Sequence, residues 1–100
     1  MKVENIINGQ GNRVANQFLI SEKGEGWNGN FIRRETFQSY DSVIAIKTIW
    51  LDETRIVLDC DKWDYSKTTG KYPYQFLGET KKETEAKIKS GIYKLENLNR

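Results

Sequence analysis

The sequence predicts an α+β fold, with one antiparallel sheet of about five strands and one C-terminal helix packed on it. Extended segments rich in β-branched and aromatic residues recur over residues 14–59, separated by short polar turns. The clearest helix-start pattern in the chain comes later, at Thr80. Because 100 residues is the length of one domain, residues 1–100 are predicted to form a single domain.

Four segments have the pattern of sheet strands: residues 14–21, 31–38, 42–51 and 54–59. The pair Asn28–Gly29 predicts a tight turn between the first two, which makes them a hairpin. The run 42–51 is apolar on both sides, so we expect it to be a central strand covered on both faces. Residues 1–8 fit either a helical turn or a frayed strand, and residues 92–95 suit a last strand.

A capping box predicts where the helix begins. Thr80 is followed three residues later by Glu83, so the hydroxyl and the carboxylate can each accept a free backbone N–H. The helix is expected over residues 81–90 and ends before Gly91, the usual left-handed cap. Its apolar face is small, so it must dock on the sheet through Ile88 and the segment behind it.

The loop at residues 60–78 is the unusual part of the chain, because it mixes aromatic rings with lysines. We expect it to contain a short helical turn ending at Gly70 and an edge strand through Tyr74, Phe76 and Leu77. Three interpretations fit it: a small core under a long loop, a protein interface, or a surface that stacks single-stranded nucleic acid. The candidate partner-binding residues are Trp63, Tyr65, Lys67, Lys71, Tyr72 and Tyr74, with Trp27 as an outlying anchor.

The composition argues against an enzyme. The chain has no histidine, which removes the commonest general base and zinc ligand. Asp59, Asp61 and Asp64 do not complete a calcium loop, so we interpret them as strand-end and capping residues. Residues 66–71 resemble a phosphate-binding loop only in composition. We therefore predict no catalytic residue, no metal site and no cofactor.

The net charge and the single cysteine restrict which partners and which cellular compartment fit the sequence. A net charge of +2 does not require nucleic acid as the partner. Cys60 is alone and forms no internal disulfide, so a disulfide-stapled secreted scaffold is not expected, and Cys60 is interpreted as a strand-end thiol. No window reaches the roughly 20 apolar residues of a membrane span, so no membrane partner is expected.

Three motifs together resemble a group of small phage and prophage proteins of unknown function. They are Asn16-Gln17-Phe18, the run Phe37-Gln38-Ser39-Tyr40-Asp41-Ser42-Val43-Ile44-Ala45, and the run Trp63-Asp64-Tyr65-Ser66-Lys67-Thr68-Thr69-Gly70-Lys71-Tyr72. The resemblance implies a phage accessory protein that acts in the cytoplasm of a bacterial host.

The function expected from these observations is binding without catalysis. Small phage proteins that lack catalytic residues often bind host proteins, so the resemblance implies an anti-CRISPR-like inhibitor that contacts a host defence complex, with a CRISPR–Cas effector as one such complex. The alternative is a phage nucleic-acid-binding accessory protein that acts through the aromatic and lysine residues of loop 62–76.

Overall fold

The computed structural model describes residues 1–26, 30–64 and 71–99. A six-stranded sheet has its strands in sequence order, and two short helices follow the fifth strand. The elements are β1 (Lys2–Ile7), β2 (Arg13–Lys23), β3 (Arg33–Ser39), β4 (Ser42–Ile49), β5 (Thr54–Asp59), α1 (Tyr72–Leu77), α2 (Lys81–Lys89) and β6 (Lys94–Glu96). None of the helices in these ranges is long and apolar enough to cross a membrane.

The α+β class is confirmed, but the sheet differs from the prediction in two ways. It has six strands because the ambiguous N-terminal segment pairs with β2 as an edge strand. It is mixed because β6 pairs parallel to β5, whereas the other neighbouring strands are antiparallel. Neither feature has a local signal, since both depend on where a distant segment lands on the sheet edge.

A β-bulge in β4 explains its unusual burial. Phe37 pairs with Ala45 while the next residue, Gln38, pairs with Val43, so Ile44 is an additional residue in the ladder. Ile44 and Ala45 are adjacent, yet both are fully buried, and Phe76 packs against the cluster of each. The bulge therefore turns both side chains toward the helices, where an unbroken strand would alternate them.

The core consists of two clusters joined by one aromatic ring. The first contains Ile6, Phe37 and Ile44, and the second contains Ala45, Leu58 and Tyr93. Phe76 of α1 packs against both clusters and stacks on Phe37 with ring centroids 6.0 Å apart. Helix α1 thus ties the β1–β4 side of the sheet to the β4–β6 side.

The predicted edge strand through Tyr74, Phe76 and Leu77 was wrong, because these residues form helix α1. Proline in the first turn suits a helix start, since Pro73 has no N–H to leave unpaired. Gly78 closes the helix with φ of 72°, and its N–H donates to Tyr74 O at 2.8 Å. These two signals were present in the sequence.

The capping-box helix is confirmed. The hydroxyl of Thr80 accepts from Glu83 N at 3.2 Å, and the Glu83 carboxylate accepts from Thr80 N at 3.1 Å. Ile88 packs against the second cluster as expected. The most buried residue of the helix is Thr84, whose hydroxyl donates to Thr80 O at 2.9 Å and so needs no outside partner.

The substitution Phe37→Ala tests the core. It removes the ring on which Phe76 stacks and leaves a cavity between sheet and helix, so we expect a loss of about 3–5 kcal/mol in the free energy of unfolding. Ile92→Ala is the matched control, because that side chain is 66 % exposed. Urea denaturation of both variants checks this, and an equal effect of the two would contradict the assignment of the core.

Candidate functional site

Two of the predicted aromatic site residues, Trp63 and Tyr72, pack against the protein's own core. Trp63 is half-buried against the cluster that contains Leu58, and Tyr72 packs against the cluster that contains Phe37. Lys71 is exposed, with its Nζ 5.2 Å from the centre of the Tyr72 ring. Three predicted site residues lie outside the described residues: Trp27, Tyr65 and Lys67.

Tyr74 and α2 are connected through Asp64. The Tyr74 hydroxyl donates to Asp64 Oδ1 at 2.9 Å, and Lys81 Nζ lies 2.9 Å from Asp64 Oδ2. Burial, followed by the hydrogen bond to Asp64, raises the pKa of Tyr74 above its ordinary value. The same carboxylate raises the pKa of Lys81 through its hydrogen bond and charge. These contacts attach the end of the loop to α2, and each of the three ionisable groups has another of them as its partner.

Asp59 is a buried carboxylate with three backbone donors. It is 1 % exposed. Its Oδ2 accepts from the backbone N–H of Asp61 and Lys62 at 3.1 and 2.9 Å, and its Oδ1 accepts from Leu98 N at 2.7 Å. Asp59 therefore shapes the turn after β5 and anchors the C-terminal tail. Within residues 1–26, 30–64 and 71–99, no group of three His, Cys, Asp or Glu side chains could hold a metal ion.

The C-terminal tail also fills a gap in the sheet. The Asn99 side chain accepts from Val43 N at 2.6 Å and donates to Val43 O at 2.9 Å. β5 pairs with β4 only from Ala45 onward, so this amide takes the place of a strand residue beside Val43. Sequence reasoning missed this contact, because the two residues are 56 positions apart.

A second buried polar group holds the segment after α2. The Tyr93 hydroxyl donates to Glu79 Oε1, and Lys87 Nζ lies 3.4 Å from Glu79 Oε2. The Glu79 side chain is only 4 % exposed, and the Lys87 ammonium offsets its charge. The Tyr93 hydroxyl donates to Oε1, whereas Oε2 has no hydrogen-bond donor among the described residues. Burial first, and then the hydrogen bond to Glu79, raise the pKa of Tyr93 above its ordinary value.

The sheet has one covered face and one open face. The side chains that meet the helices come from alternate strand residues, such as Leu19, Phe37, Ala45 and Leu58. The intervening residues point to the opposite side, here called the open face. The strand registers place five of them side by side across β1–β5, forming the open row: Val3, Ile20, Thr36, Ile46 and Val57.

The open row is partly exposed and is bordered by arginines. Val3 is 57 % exposed and the other four members are half-buried. None of the five belongs to the two core clusters found among the described residues. Along one side of the row the Arg34 guanidinium lies 4.3 Å from the centre of the Phe31 ring, and the Arg55 guanidinium lies 5.5 Å from that of Trp50.

The expectation that residues 42–51 are covered on both faces was wrong, because both helices pack on one face and Ile46 lies on the other. Ile20, Ile46 and Val57 stand in strands that have apolar residues on both sides, and two apolar sides indicate either a strand covered on both faces or one with an exposed apolar face. Only the positions of the helices distinguish these cases.

The substitution Asp59→Asn tests the buried carboxylate. An amide has a single acceptor oxygen, so at least one of the three backbone donors would lose its partner inside the protein. We expect a loss of about 1–3 kcal/mol in the free energy of unfolding, with Asp61→Asn as the exposed control at below about 0.5 kcal/mol. Urea denaturation measures both, and a silent Asp59→Asn would contradict the anchoring role.

Tyr93 makes stability depend on alkaline pH. Since its folded-state pKa is raised, its contribution is complete below the unfolded-state pKa of about 10 and is lost as pH rises through the folded-state pKa. Urea midpoints at about pH 8 and about pH 11 should therefore differ less in Tyr93→Phe than in wild type. Tyr40→Phe, at a side chain that is 51 % exposed, should behave like wild type.

The comparisons with known proteins identify a family but no activity. No curated protein and no solved structure matches the chain. A model of a family of unknown function, DUF8033, matches residues 1–92. That match covers β1 to α2 and the segment that follows α2. The chain therefore belongs to the DUF8033 family of unknown function.

Proposed function

We propose that this protein is a non-enzymatic binding protein whose partner is another protein, and that it binds this partner with the open face. The observation that carries the proposal is the open row itself. Four of its five members are aliphatic, and they lie in register across five strands on the face opposite the helices. Contiguous exposed apolar surface of this kind is typical of interaction sites.

The arginines at the border define the chemistry of the partner. Arg34 and Arg55 flank the apolar row, and each is supported by an aromatic ring. Arginine and aromatic residues are preferred in protein interfaces because they combine apolar area with directed hydrogen bonds. The fitting partner surface has an aliphatic centre with carboxylates at one side. These would pair with Arg34 and would compete with Glu53 for Arg55, whose Nη2 lies 3.1 Å from Glu53 Oε1.

The buried polar groups support binding over catalysis. Asp59 and Glu79 are the least exposed carboxylates described, and each is held by neighbours that stabilise the fold. The phage-like motifs extend the proposal to the identity of the partner, a host defence complex such as a CRISPR–Cas effector. In this proposal the protein inhibits that complex by occupying a surface on it.

The substitution Ile46→Lys tests the open face. A charge at the centre of the row should abolish capture of the protein partner, because burying an unpaired ammonium is unfavourable. Since Ile46 contacts neither core cluster, we expect Tm to fall by less than about 8 °C, the equivalent of about 1 kcal/mol. Thr54→Lys is the control, because it adds the same charge at an exposed strand residue outside the row.

The measurement is capture by wild type and both variants from a bacterial lysate, once with and once without nuclease treatment. A stoichiometric protein bound by wild type and Thr54→Lys but lost with Ile46→Lys supports the proposal. A protein held equally by all three contradicts it. Recovery of nucleic acid alone, with binding that weakens steeply as salt is added, would favour the nucleic-acid alternative.

A further inference from the structure

The outer side of β1 is an edge of the sheet. β1 stands first in the strand order, and its described pairing is with β2. The Lys2 side chain is 73 % exposed, the Glu4 side chain 45 % and Val3 57 %. An edge strand directs part of its backbone N–H and C=O groups outward, where a further strand can pair with them.

We propose that β1 pairs with β1 of a second copy of the chain, which gives a two-fold symmetric dimer with a continuous sheet. A two-fold axis perpendicular to the sheet makes the two edge strands antiparallel and keeps the same face upward in both copies. Residues opposite each other then belong to the same face of the sheet. Because faces alternate along a strand, the axis must pass through a single residue pair, which leaves few registers.

The charges of β1 select one of these registers. With the axis at Val3, Lys2 of each copy lies opposite Glu4 of the other, so that two ion pairs form by symmetry. With the axis at Glu4, the two Glu4 carboxylates face each other, which is destabilising. With the axis at Asn5, Glu4 lies opposite Ile6, a core residue that is only 7 % exposed. The Val3 register is therefore the favoured one.

The surroundings of β1 are compatible with this register. It pairs residues 1–5, whereas the side chain of Gln75 reaches the strand further along, donating to Ile7 O at 2.8 Å. Val3 lies on the open face, so it would pack against Val3 of the second copy and join the two open rows. Within one chain, Lys2 Nζ lies 3.5 Å from Glu4 Oε1. In the dimer, each of these four side chains would therefore have an oppositely charged neighbour in its own chain and another across the axis.

This inference does not depend on the proposed function, since it concerns the sheet edge and not the partner of the open face. The dimer would nevertheless present two open rows on the same side, which suits a partner surface that is itself extended or repeated. Because the selecting charges are exposed, dimerisation should weaken as salt is added.

A charge-swap series measured by sedimentation tests the dimer, with full-length chain at about 1 µM to about 1 mM. Lys2→Glu and Glu4→Lys each place like charges opposite each other, so each should weaken dimerisation by about tenfold. The double variant Lys2→Glu/Glu4→Lys restores both pairs and should dimerise like wild type. A monomeric wild type over this range, or a double variant no better than the single ones, would overturn the proposal.

Cysteine cross-linking tests the register independently. In a Cys60→Ser background, Val3→Cys places two thiols on the axis with Cα atoms about 4.5–5.5 Å apart, within disulfide range. Oxidation should give a covalent dimer with Val3→Cys. It should give none with Asn5→Cys, because residue 5 of one copy lies opposite residue 1 of the other and the two residues 5 are far apart. Cross-linking of Glu4→Cys in place of Val3→Cys, or equal cross-linking of all three, would overturn the assigned register.

Discussion

The contact of Phe76 with both core clusters is the interaction on which the rest of the structure depends. A six-stranded sheet in sequence order has only neighbouring contacts between strands, so something must hold its two sides together from one face. Phe76 does this by stacking on Phe37 and reaching the cluster around Leu58. The bulge in β4 turns both Ile44 and Ala45 toward the helices, which enlarges the apolar surface that the Phe76 ring contacts. Helix α1 has six residues and would not be stable alone, so its helical state and the core form together.

The polar interactions fasten chain segments to that core. Asp59 accepts hydrogen bonds from the turn after β5 and from Leu98 in the C-terminal tail. Asn99 hydrogen-bonds the backbone of Val43 near the start of β4, and Glu79 accepts from Tyr93 in the segment after α2. Each of these side chains bonds to a residue at least 14 positions away in the sequence, and two of them are almost fully buried. A buried carboxylate is costly unless donors or an opposite charge surround it. Detaching the segments that supply these partners would therefore also destabilise the sheet. The C-terminal residues are thus part of the fold.

Coverage of the sheet on a single face is the basis of the proposed function. Both helices pack on one face through the two core clusters, while the opposite face presents the open row with its arginine–aromatic border. In the proposed function, this open face offers a protein partner a wide and partly apolar surface. The free edge at β1 extends the same surface, since a second copy placed there would continue the open row across the axis.

The sequence by itself determined the elements whose signals are local. The capping box at Thr80 and Glu83, the strand β5 and the pairing of β2 with β3 follow from neighbouring residues, because caps and alternation act over a few positions. Helix α1 had local signals as well, in Pro73 and Gly78, but the aromatic residues between them suit a strand equally well. Only the tertiary structure decided which face of the sheet is covered, that β6 runs parallel to β5, and that Trp63 and Tyr72 pack inward. These outcomes depend on contacts between residues far apart in the chain. The local sequence shows that a side chain is apolar, but it does not specify which distant surface will bury it.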